Sequence, residues 1–72
     1  MNKEEYEYII KVLEIKSRSL KDTIKVTKDR LEYEFNNNLK KHIIKMIDEY
    51  ETEYKLCISS LNNFKKEGVD NE

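Results

Sequence analysis

The sequence predicts an all-α fold, a two-helix antiparallel hairpin that dimerises into a four-helix bundle. Three observations lead there. Apolar residues recur at steps of three and four along both halves of the 72-residue chain. There is no proline, and the single glycine, Gly68, is too little punctuation for a strand-rich domain. The one short polar interruption, Asn36-Asn37-Asn38, falls at the midpoint.

The first helix is expected over about residues 3–35, because the start signals and the periodicity agree there. Asn2 can cap the free amide of Glu5, and Glu5 can reach back as in a capping box. Glu4, Glu5 and Glu7 sit near the positive end of the helix dipole. Tyr6, Ile10, Leu13, Ser17, Leu20, Ile24, Thr27 and Leu31 then alternate steps of four and three, which is a heptad seam. Ser17 and Thr27 weaken that seam but let two helices approach closely.

The turn is expected at about residues 36–38, since asparagine is the non-glycine residue most at ease in the left-handed region. Asn36 or Asn37 would end the first helix, and Asn37 or Asn38 would cap the second. The second helix, over about residues 39–66, carries the seam Leu39, Ile43, Met46, Tyr50, Tyr54 (or Glu53), Cys57, Leu61 and Phe64. Lys65 and Lys66 followed by Gly68 read as a stop, with residues 68–72 fraying. The whole forms one domain over residues 1–72.

Two other arrangements compete, a three-helix form broken near Ser17-Arg18-Ser19 and one continuous helix in a parallel coiled coil. A continuous helix of about 60 residues would run roughly 90 Å. Charge favours the hairpin. Folded at Asn36-Asn37, residue i faces approximately 73 − i, and each exposed pair then contributes about 0–1 kcal/mol, enough to specify a register. Lys16, Arg18, Lys21, Lys25 and Lys28 come beside Asp48, Glu49, Glu51 and Glu53. Glu4, Glu5 and Glu7 come beside Lys65 and Lys66, and Glu32 and Glu34 beside Lys40 and Lys41.

Composition removes several classes of function. Charged residues are 40% of the chain but net charge is −1, which argues against a bulk polyanion binder. Cys57 is the only cysteine and His42 the only histidine, so an internal disulfide and a Cys/His zinc site are both excluded within one chain. No cofactor motif is present. The acidic start is unlike a signal peptide, and no apolar run approaches the roughly 20 residues that span a bilayer. A lone thiol fits a reducing, cytoplasmic setting. The lysine, asparagine and isoleucine bias is that of an AT-rich bacterial or phage genome.

A core this small rarely stabilises a chain unaided, so association is expected. Apolar residues exceed what one seam can bury around Tyr8, Ile9, Val12 and Ile15, around Leu56 and Ile58, and around Ile44 and Ile47. Contiguous surplus of that kind marks an interface. A two-fold dimer of hairpins would close it, on a plan that resembles the Rop-like RNA-binding dimers in architecture.

Candidate chemistry is sparse. His42 reads as a surface histidine and Cys57 as a small buried hydrophobe. Asp48, Glu49, Glu51 and Glu53 lack the Glu-x-x-His pattern of di-metal bundles and read as a solvated face. The stripe Arg18, Lys21, Lys25 and Lys28 is the one feature resembling a nucleic-acid footprint. Tyr8 and Tyr33 are hard to bury, and exposed tyrosine suits an interface hot spot. The expected function is therefore that of a non-enzymatic, stoichiometric interaction protein, an inhibitor or adaptor of the kind phages and mobile elements encode. Its partners would be a second copy and a larger protein bound through Tyr8, Ile9, Val12 and Ile15. The first alternative is a nucleic-acid-binding dimer using the basic stripe; the second is a purely structural oligomerisation module.

Overall fold

The computed structural model describes residues 2–70, with side chains through Lys66. Two helices, α1 (Lys3–Glu32) and α2 (Asn37–Asp70), lie antiparallel and pack against each other along their length. The Cα framework measures 54 × 14 × 13 Å, well short of the roughly 90 Å of a continuous 60-residue helix. No strand occurs among the described residues. No helix among the described residues is long and apolar enough to cross a membrane.

The seam explains the pairing. On α1, Tyr6, Ile10, Leu13, Ser17, Leu20, Ile24, Thr27 and Leu31 are all buried or half-buried, as the 3.5-residue repeat requires. On α2 the buried residues are Ile43, Ile47, Cys57 and Leu61, with Tyr50, Tyr54 and Phe64 half-buried between and beyond them. The seam thus runs 43, 47, 50, 54, 57, 61, 64. Ile47 takes the place expected of Met46, which lies half-buried at the side. Leu39 is 46% exposed and lies outside the core of the hairpin.

Small residues set the closest approach. Cys57 reaches across to α1, its Sγ donating to the Leu13 carbonyl at 3.2 Å. Buried Ser17 is satisfied within its own helix, its hydroxyl donating to the Glu14 carbonyl at 2.9 Å. A back-bonded hydroxyl of this kind can sit in a seam without an orphaned donor. At the open end the Tyr6 hydroxyl donates to the Phe64 carbonyl, and the two rings meet at 6.3 Å between centroids, tilted by 52°. That aromatic pair contributes on the order of 0.5–1.5 kcal/mol beyond its buried area.

The turn is made differently from the expectation. α1 ends at Glu32, three residues early, and Tyr33 forms its cap at φ −102°, ψ 2°. The amides of Tyr33 and Glu34 donate to the carbonyls of Arg30 and Leu31, tightening the last turn. No described residue takes a positive φ, so none of the three turn asparagines adopts the left-handed conformation. Asn36 instead caps α2, its Oδ1 accepting from the amides of Asn38 at 2.9 Å and Leu39 at 3.2 Å. Asn37 and Asn38 belong to the first turn of α2. Four connecting residues, 33–36, suffice because backbone amides close the end of α1 and the Asn36 side chain caps α2, without a left-handed residue.

This moves the register. Tyr6 meets Phe64 and Leu13 meets Cys57, so facing residue numbers add to 70 and not 73. The folding axis lies about one residue and a half earlier in the chain. At the other end α2 continues through Gly68 to Asp70, so Gly68 does not stop it. Of the tail expected to fray, residues 71 and 72 lie outside the described residues.

Candidate interaction surface

Filling the seam leaves each helix two flanks, and the ion pairs show which flanks share a side. Lys16 Nζ meets Glu53 Oε1 at 2.9 Å. Lys28 meets Glu51 at 3.6 Å and Lys65 meets Glu14 at 3.5 Å. On α1, residue 16 precedes the seam residue 17, whereas 14 and 28 follow the seam residues 13 and 27. The two sets therefore lie on opposite sides of the hairpin, and heptad spacing extends each side along both helices.

The Lys16–Glu53 side carries most of the exposed apolar flank residues and few charges. α1 contributes Ile9, Val12, Ser19, Thr23 and Val26 to it, and α2 contributes Leu39, Met46, Leu56 and Ser60. Val12 is 43% exposed, Val26 67% and Leu56 65%. Among the residues with described side chains, the charges in these rows are Glu5, Lys16, Arg30, Glu49 and Glu53, with exposed His42 beside them. Hydrogen bonding to Glu53, and then the attraction of its charge, hold the Lys16 ammonium above its ordinary value.

The opposite side is charged at nearly every position, with Ile44 and Ile58 as its apolar members. Arg18, Lys21, Lys25 and Lys28 all fall there and are exposed, whereas Lys16 is on the other side. The expected basic block is thus divided by the helical repeat. Lys28 is tied to Glu51; among the described residues Lys21 and Lys25 make no ion pair. The expected pairing of Glu4, Glu5 and Glu7 with Lys65 and Lys66 does not form, since Lys65 turns to Glu14. Nor do Glu32 and Glu34 pair with Lys40 and Lys41. The earlier turn moves Lys40 and Lys41 off the level of Glu32 and Glu34, whereas Glu4 and Glu5 stay level with Lys66 and Lys65 without pairing.

The residues expected to bind a partner divide similarly. Tyr8, at 69% exposed, and Ile15, at 52%, point away from α2, two turns apart on the back of α1. Ile9 is half-buried, and Val12 leans toward the apolar side. Tyr8, Val12, Ile15, Ser19 and Val26 follow steps of four, three, four and seven, a second stripe on the helix that already carries the seam. A shallow depression lined by Ile15, Arg18, Ser19, Asp22 and Thr23 continues it. Sequence reasoning missed two members of the exposed apolar surface, Val26 and Phe35. Phe35 is 88% exposed at the turn beside Tyr33, also exposed. Val26 was legible from its place in the second stripe.

Cys57 is buried in the seam. No three His, Cys, Asp or Glu side chains among the described residues gather as metal ligands. Comparison with protein-family models, with curated proteins and with solved structures returns no match to this chain.

Proposed function

We propose that this chain is a small, non-enzymatic interaction protein that self-associates and docks stoichiometrically onto a larger protein as an inhibitor or adaptor. One observation carries the reading. α1 has two apolar stripes, and only one is used by the hairpin. The other keeps Tyr8 and Ile15 more than half exposed on a side that α2 cannot reach. Such residues are costly to leave in water and suit a hot spot when a partner covers them. A rigid helix laying an apolar stripe into a groove is an established mode of recognition. The lysine-rich, highly charged composition is common among mobile-element and phage products. The proposed target is accordingly a cytoplasmic defence or regulatory protein of a bacterial host.

Basic side chains keep a second reading in view. Arg18, Lys21 and Lys25 form an exposed row without acidic partners, a modest nucleic-acid footprint. Affinity capture from a bacterial lysate at rising salt, repeated with two variants, separates the readings. Docking through the outward pair Tyr8 and Ile15 should persist at high salt, fail with Tyr8→Ala and survive Lys21→Glu/Lys25→Glu. Loss with salt and with the lysine variant, but not with Tyr8→Ala, would replace this proposal by nucleic-acid binding.

A further inference from the structure

The proposed self-association leaves open which face is used and how the two copies are arranged. We infer that a second copy covers the Lys16–Glu53 side, related by a two-fold axis parallel to the long axis of the hairpin, so that both turns lie at one end and α1 packs on the partner's α2. The inference rests on the self-association proposed above and adds the face and the symmetry.

The face is chosen by composition. One side of the hairpin presents Ile9, Val12, Val26, Met46 and Leu56 with small serines and threonine between them. The other presents charge at nearly every position. Desolvating the second would strand many ammonium and carboxylate groups, whereas desolvating the first strands few. Its size is sufficient. A face of 54 by 14 Å offers on the order of 800 Å² per partner, the area that stable protein interfaces bury.

The arrangement is chosen by level and by charge. A two-fold axis along the bundle moves no residue along it, so whatever lies level within one hairpin meets across the pair. Leu13 and Cys57 are level, so their neighbours Val12 and Leu56 differ by only about 3 Å at 1.5 Å per residue. Val12 of one copy therefore covers Leu56 of the other, and Thr23 covers Met46. Lys16 and Glu53 are also level, so each Lys16 comes within reach of a second Glu53. Turning the second copy end for end would instead stack α2 on α2. That puts Glu49 against Glu53 at the centre of the interface, and like charges there disfavour it.

The test labels the turn. In a Cys57→Ala background, Asn37→Cys places a single nitroxide on an exposed residue of each copy, and Lys3→Cys does the same at the open end. Both inter-copy distances should be far below the 54 Å length of the hairpin. Val12→Glu, at an exposed position, should keep the helical circular dichroism and raise the dissociation constant by more than about tenfold, while Ile44→Glu on the charged side should not. A dimer with label distances near the hairpin length overturns the arrangement and spares the self-association. A dimer broken by Ile44→Glu and not by Val12→Glu overturns the face. A monomer at every concentration overturns the inference together with the self-association beneath it.

Discussion

Single side chains decide how this hairpin is held. Ile47 and Met46 are adjacent, yet only Ile47 is in the seam. Ile47→Ala should destabilise by about 2–4 kcal/mol, whereas Met46→Ala should cost well under that in the isolated hairpin. Urea denaturation of both variants checks this, and the reverse order would show the seam to be misplaced. The heptad was legible in full on α1. On α2 the expected seam, 43, 46, 50, 54 (or 53), takes two consecutive steps of four when it runs through 54. The stricter alternation 43, 47, 50, 54, 57, 61, 64 was available and is the one the molecule uses. Two apolar residues side by side satisfy periodicity equally at one turn, and only the full length of the helix separates them. Lys16 yields a second prediction. Its value is raised above 10.5 by Glu53, so its stabilising share is complete below the unfolded value and is lost as pH rises through the folded one. The stability difference between the wild type and Lys16→Met should thus be constant over about pH 7 to 9 and shrink only in the alkaline lysine range. A difference that already fades below pH 9 would contradict the pairing.

At the scale of elements, the turn shows what local chemistry can hide. Three asparagines mark the region but do not say which of them does what. Asn36 holds two amides of α2 and Asn37 and Asn38 hold helical positions. Asn36→Ala should therefore cost about 1 kcal/mol, while Asn37→Ala should be neutral or slightly stabilising because alanine is the better helix former. Thermal unfolding of the two variants reports the difference; equal losses would place the cap elsewhere. The antiparallel pairing was legible from charge, but its register was not. Exposed pairs constrain a register only to within two or three helical turns, because the lysine and glutamate side chains both reach along the helices. Lys28–Glu51 and Lys65–Glu14 are such reaches, offset from the Leu13–Cys57 level. The surplus of apolar residues near Tyr8 was also legible. Its division into an outward pair, Tyr8 and Ile15, and a flank, Ile9 and Val12, needed the position of α2.

The whole molecule is a narrow rod with one covered seam, one densely charged side and one side of apolar and small polar residues with few charges. A buried thiol in that seam gives a simple measure of its integrity. Cys57 should react with a thiol reagent many times more slowly in the folded chain than in denaturant, since reaction requires the helices to part. Fast native-state labelling would mean that the hairpin opens readily. The proposed function places recognition on the open sides of the rod. Light scattering over a wide concentration range, on the wild type and on Val12→Glu, tests that claim most directly. The account predicts a wild-type mass of twice 8.8 kDa that gives way to 8.8 kDa on dilution, and a variant that is 8.8 kDa throughout with its helicity intact. A wild-type mass of 8.8 kDa at every concentration would contradict it.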